Sequence, residues 1–189
     1  MCGIGGILYK PASGQRTESV GSQLVNMLDA MAHRGRDSTG VTVSGEDTDC
    51  DFIVRIWSDP SIDYKSGFKL AEDRVSSNGG RIVEHKEVNE YLRLGIEFKG
   101  EISILARELM SISGIEIHSI GRSSEVVKDV GTGTDLEHRH QVSNLNGTHG
   151  IGHVRMATES RVDITHAHPF WAYPFPDITV VHNGQITNY

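Results

Sequence analysis

The chain opens Met1-Cys2-Gly3-Ile4-Gly5-Gly6-Ile7-Leu8. Glycine has no Cβ, so a segment built this way reads as a strand that another backbone, or a substrate, can approach closely. It also places a cysteine directly behind the initiator methionine. Methionine is trimmed before side chains as small as cysteine's, which would leave Cys2 carrying both a thiol and a free α-amine. Such an amine titrates near ~8, so at neutral pH a fraction is unprotonated and can take the thiol proton. Nucleophile and base would then occupy one residue. While Met1 is attached, the Cys2 nitrogen is an amide and cannot act as a base.

A chain of 189 residues, 37% hydrophobic, suffices for one buried core, or for one core with a sizeable insertion. The net charge of −7, with 18 basic residues scattered rather than run together, argues against nucleic acid or an anionic membrane as the main partner. Two cysteines, Cys2 and Cys50, cannot make a disulfide framework. The start of the chain has no charged region leading into an apolar stretch, and no apolar run is long enough to span a bilayer. The expectation is a reduced, soluble, cytoplasmic protein. Asn146-Gly147-Thr148 matches a glycosylation sequon and reads as a turn.

Residues 3–9 read as a strand, followed by a turn over 10–16 punctuated by Pro11 and Gly14. Over 18–34 the apolar positions Val20, Leu24, Met27, Leu28 and Met31 form one helical stripe, with Gly35 where a C-terminal cap belongs. Val41–Val43 and Phe52–Trp57 read as extended, joined by a polar hairpin connection over 46–51. Further helices are expected over 85–94, from Val88, Tyr91 and Leu92, and over 101–112, from Ile102, Leu105, Ala106 and Leu109. Residues 115–120 alternate like a strand. The segment 60–147 as a whole reads as a folded α/β insertion. Gly131-Thr132-Gly133-Thr134 could offer backbone amides to a phosphate, but it lacks the lysine and the following helix of a phosphate loop. Residues 148–156 read as extended, and the apolar run 178–181 delivers His182-Asn183-Gly184 at its end.

Acylating a thiol with a small amide requires a nucleophile, a base, two donors for the developing oxyanion and a clamp for the charged end of the substrate. Cys2 could supply the first two. Asn183 offers a side-chain NH2 and Gly184 a backbone N–H unobstructed by Cβ. Arg155 offers a planar fork suited to a carboxylate, with the Thr158 hydroxyl three residues on.

Five segments in order, Cys2-Gly3-Ile4, His33-Arg34-Gly35-Arg36-Asp37-Ser38-Thr39-Gly40, Gly152-His153-Val154-Arg155-Met156-Ala157-Thr158, Ala167-His168-Pro169-Phe170 and His182-Asn183-Gly184, resemble the signatures of the class II glutamine amidotransferases, which are N-terminal-nucleophile hydrolases. The match spans nearly the whole chain. It implies an α+β fold, a four-layer αββα sandwich, here with the insertion at 60–147 inside a domain covering 1–189. It also implies glutamine as substrate and ammonia delivered to a synthase partner or domain. In the resemblance Cys2 is the nucleophile that forms a thioester, and Asn183 and Gly184 form the oxyanion hole. Arg155 and Thr158 grip the α-carboxylate, while His168, Arg34 and Asp37 shape the substrate side of the site. No metal and no cofactor are called for.

Two departures stand out. Glu159 replaces a histidine found in some members, and its carboxylate is expected to point away from the clamp. The chain stops at Tyr189, whereas the family's fold continues and supplies an aspartate for the substrate's amino group; the resemblance thus implies a domain incomplete at its C-terminus. The enlarged middle is closer to the amidotransferase subunits of glutamate-synthase-like systems than to the glucosamine-phosphate synthase type, with amidophosphoribosyltransferases also related.

Two alternatives stand beside this reading. One is a hydrolase of another small amide, against which Arg155 argues; the other is a catalytically silent scaffold with the same fold. Three histidine pairs, His138/His140, His166/His168 and His149/His153, invite a metal, but no carboxylate or cysteine cluster accompanies them. Cys50, in the acidic turn Asp47-Thr48-Asp49-Cys50-Asp51, is expected to be inert.

Overall fold

The computed structural model describes residues 1–10, 18–46, 48–157 and 161–184. Its strands are β1 (Gly3–Leu8), β2 (Ser38–Ser44), β3 (Phe52–Ser58), β4 (Arg81–Val88), β5 (Tyr91–Glu97), β6 (Ile115–Gly121), β7 (Ser124–Val130), β8 (His149–Arg155), β9 (Phe170–Trp171) and β10 (Thr179–Val180). Its α-helices are α1 (Val20–Ala30), α2 (Tyr64–Ser77), α3 (Ile102–Met110) and α4 (Gly133–His140). The fold is α+β with antiparallel sheets, and the chain divides into two compact units.

The first unit comprises Met1–Glu46, Val126–Phe170 and Thr179–Tyr189. It is built on a sheet of order β1-β8-β2-β7, with β8 antiparallel to both of its neighbours. Ser19 starts α1 by accepting the Ser22 amide at 2.9 Å, satisfying one of the free N–H groups of the first turn. Val20, Leu24 and Leu28 then fall on one face and are fully buried against Val41, Val43, Val127 and Val154. Glycines in β8 allow this contact. A Cβ on Gly150 would lie 2.8 Å from Leu24 Cδ1, and one on Gly152 would lie 3.0 Å from Leu28 Cδ2. The expected helix over 18–34 is therefore α1 followed by a 3-10 turn, Ala32–Arg34.

The second unit comprises Asp47–Glu125 and Trp171–Ile178. Its sheet has the order β4-β5-β3-β6, and every adjacent pair is antiparallel. Alternate residues Phe52, Val54 and Ile56 of β3 and Leu92, Leu94 and Ile96 of β5 share one core with Phe68, Ala71 and Val75 of α2 and Leu105 and Leu109 of α3. Both helices thus cover the same face of the sheet.

Three expectations are corrected here. Residues 85–94 are not helical: they belong to the β4–β5 hairpin, whose turn places Asn89 at φ 50°, a conformation asparagine tolerates better than most residues. Val88, Tyr91 and Leu92 mimic a helical stripe because a short window fits either period. The 46–51 connection is not a hairpin, since β2 and β3 lie in different sheets. Finally, Gly131-Thr132-Gly133-Thr134 does precede a helix. Thr132 caps α4 in a reciprocal box with Asp135, so these amides serve the helix start, and hydrogen bonds from Thr132 hold the Asp135 carboxyl below its usual range. The helix over 101–112 and the strand over 115–120 are present as α3 and β6.

Candidate active site

Sheet register brings the candidate residues to one end of the first unit. Gly3 pairs with Val154 and Ser38 with Arg155. Cys2, just before β1, therefore falls beside the point where β8 ends at Arg155 and where residues 34–37 lead into β2. The Cys2 thiol lies 3.8 Å from the Met156 carbonyl oxygen, to which it can donate. The Cys2 carbonyl accepts two hydrogen bonds, from Arg34 Nε at 3.0 Å and from the Asn183 side-chain amide at 3.1 Å. Asn183 follows β10 and the intervening His182, and Gly184 comes next.

The same end is tightened by backbone contacts. Asp37 N–H donates to Arg155 O at 3.0 Å, and an Asp37 carboxylate oxygen accepts Ala157 N–H at 2.6 Å. The Asp37 side chain thus holds the chain leaving β8. Gly35 meets this turn without a side chain; a Cβ there would lie 2.4 Å from the Arg155 carbonyl carbon. A cavity of about 380 Å³ opens beside it, lined by Ala32, His33, Gly35, Arg36, Asp37 and Met156, a volume within the range of small-molecule pockets.

Arg155 is 5% exposed, and its Nη2 donates to Arg161 O at 3.0 Å. Successive strand residues point to opposite faces, and Val154 packs in the α1 core, so Arg155 and His153 project from the other face of the sheet. There His153 is fully buried, with Nε2 at 3.0 Å from His182 O. Its ring stacks on His168 at 4.3 Å between centroids, and His168 meets the Phe170 ring edge-on at 4.4 Å. Lys128 Nζ donates to Ala167 O at 3.1 Å and stands 5.2 Å from the Phe170 centroid. Burial is the main cause that lowers His153 to a pKa of about 4 and His168 to about 3; the cations nearby act in the same direction. Both imidazoles are neutral at physiological pH.

Cys2, Arg34, Asp37, Arg155, His168, Asn183 and Gly184 all belong to this unit. Thr158 and Glu159 lie outside the described residues. Sequence reasoning assigned no role to His153 or His182, although both sit inside the quoted motifs. Their signal was a histidine between Gly152 and Val154 inside β8 and another directly before the Asn-Gly pair.

The histidine pairs considered as metal ligands have other partners. His140 Nε2 lies 2.8 Å from buried Asp129, His166 Nδ1 lies 2.6 Å from Asp163, and His149 Nδ1 lies 2.9 Å from Thr148 Oγ1. Among the described residues, three side chains of metal-ligating type converge at Glu72, His85 and Glu87, on the surface of the second unit, with His85 Nε2 2.8 Å from Glu72 and 3.4 Å from Glu87. Cys2 and Cys50 are both free thiols, and Cys50 can donate to Thr48 Oγ1 at 3.7 Å. Among the described residues no helix is long and apolar enough to cross a membrane.

No protein-family model matches the chain. It is 37% identical over 196 aligned residues to a protein of Methanothermobacter thermautotrophicus named "Putative glutamine amidotransferase", the alignment covering 100% of the chain and 63% of that protein. It is 32% identical over 190 residues to the glutamine amidotransferase-like protein GlxB of Rhizobium meliloti, covering 100% of the chain and 60% of GlxB. A shorter match, 36% identical over 107 residues, covers 57% of the chain and 20% of the amidophosphoribosyltransferase of Haemophilus influenzae. The chain therefore spans about three fifths of the length of the first two relatives.

Proposed function

We propose that the chain is a class II glutamine amidotransferase domain, that it hydrolyses the side-chain amide of glutamine through Cys2 once Met1 is removed, and that it passes the ammonia to an acceptor enzyme or domain. The observation that carries the reading is the hydrogen bond from the Asn183 amide to the Cys2 carbonyl, which keeps a strong donor beside the thiol-bearing residue.

In this mechanism the free Cys2 amine takes the thiol proton as sulfur attacks the carboxamide carbon. A C–S bond forms, and the carbonyl π electrons move to oxygen. Asn183 Nδ2–H and Gly184 N–H stabilise that oxyanion, a contribution that for a single donor is worth roughly 3–4 kcal/mol. Collapse of the intermediate breaks the C–N bond; the nitrogen leaves as ammonia with the proton returned from the amine. Water then attacks the thioester, the amine again serving as base, and glutamate and the free thiol are released. Arg155 pairs with the substrate α-carboxylate, for which its planar fork is suited.

The test combines intact mass, a glutaminase assay and a thiol-alkylating glutamine analogue. Loss of Met1, a single adduct on Cys2 and inhibited ammonia release support the reading. Retained Met1 with no adduct and no ammonia overturns it in favour of a silent scaffold.

A further inference from the structure

The Asn183-Gly184 pair follows a strand of only two residues, β10, so the sheet itself does little to hold it. What does hold it is visible one residue earlier. The carbonyl of His182 can only accept a hydrogen bond, so the 3.0 Å contact with His153 Nε2 requires the proton to be on Nε2. Nδ1 is then the unprotonated nitrogen, and among the described residues it has no hydrogen-bond partner. The His182 carbonyl shares one rigid peptide plane with the Asn183 N–H, so anchoring its oxygen sets the orientation of the whole unit leading into Asn183. His153 is itself held firmly: it is fully buried, central in the sheet between β1 and β2, and stacked on His168. Burial and the nearby Arg155 keep the His153 ring neutral and a single-proton donor, and Lys128 acts in the same direction on the His168 ring stacked against it.

We propose that His153 is the positioning residue of the oxyanion pair: its Nε2–H anchors the His182 carbonyl and thereby orients Asn183 and Gly184 toward Cys2. The kinetic consequence rests on the glutaminase reading; the anchoring does not.

The test uses the full chain with His153→Gln, which keeps a donor near the Nε2 position, and His153→Met, which keeps bulk and loses the donor. His153→Asn, too short to reach His182, takes the place of His153→Met if that variant does not fold. In glutamine hydrolysis, His153→Met should lower kcat by about 10–100-fold with KM changed less than about threefold, because the lost interaction matters in the transition state. His153→Gln should recover most of that loss. In parallel, hydrogen exchange of the backbone amides at 183 and 184 should be faster in His153→Met than in the wild type or His153→Gln. Equal losses in the Met and Gln variants, or wild-type kcat and exchange in His153→Met, overturn the proposal. A wild-type protein that releases no ammonia defeats the glutaminase reading instead. Exchange at 183 and 184 then decides the anchoring alone: faster in the Met variant upholds it, and equal rates overturn it.

Discussion

The side-chain amide of Asn183 donates to the carbonyl oxygen of Cys2 across 3.1 Å, although 181 positions separate the two residues in the chain. This bond joins the segment after β10 to the start of β1. Replacing Asn183 by Ala removes both this tie and one oxyanion donor. Glutaminase kcat should fall by about 10²–10³-fold with a smaller change in KM, as steady-state kinetics will measure; an unchanged kcat would remove Asn183 from the site.

Arg155 is nearly inaccessible yet carries a fork suited to a carboxylate. Arg155→Lys keeps the charge and loses the bidentate geometry. The expected result is a KM for glutamine raised about tenfold with kcat changed less. A normal KM would assign the carboxylate to another group.

Gly35 sits at φ −179°, which any residue can adopt, so its requirement is steric and not conformational. The Cβ of Gly35→Ala would press on the backbone of Arg155 and Met156. Overpacking of this kind costs about 1–3 kcal/mol. A lowered urea midpoint together with a raised KM is expected, because the displaced turn carries Arg155.

Stability should depend on pH through His153 and His168. Unfolded, each imidazole titrates near 6.5; folded, burial lowers His153 to about 4 and His168 to about 3. Between these values the unfolded state binds more protons, so stability is complete above pH 6.5 and is lost as pH falls toward 4. For His153 the loss is on the order of 2–3 kcal/mol. Denaturant titrations at pH 7, 5.5 and 4.5 should show the decline, and His153→Gln should flatten it.

In the second unit, Arg55 and Arg93 face each other across β3 and β5, and both bind the buried carboxylate of Glu125, at 2.5 Å and 3.0 Å. Burial raises the Glu125 pKa, but the two guanidinium groups more than offset it and hold the carboxyl below its usual value. Glu125→Gln leaves two cations opposed in a partly buried place. A loss of about 3–5 kcal/mol is expected in equilibrium unfolding, whereas a near-neutral result would mean that solvent or Glu84, which also pairs with Arg93, compensates.

Much of this was legible from local pattern. The α1 stripe, the strands at 3–9 and 115–120, and the helix at 101–112 each repeat with a period that a single segment reveals. The cysteine, the arginine and the Asn-Gly pair could be named because their functional groups are chemically distinctive. The middle of the chain was harder. Residues 85–94 fit both periods, α2 buries only Phe68, Ala71 and Val75 beside Gly67 on a mostly polar helix, and the strand β7 mixes Glu125, Lys128 and Asp129 with its valines. Glu125 and Lys128 are buried against partners far away in sequence, Arg55, Arg93 and the Ala167 carbonyl, and Asp129 against Arg139 and His140 across the turn into α4, pairings that the strand's own pattern does not register.

By itself the sequence determined which short segments become strands or helices and which side chains could do chemistry, since both follow from neighbours along the chain. Only the tertiary structure decided that β2 and β3 part into different sheets, that Cys2 meets Asn183, and that His153 anchors His182. Those outcomes depend on hydrogen-bond register between strands distant in sequence, and the one-residue precision of that register comes from packing, not from the residues at either position alone.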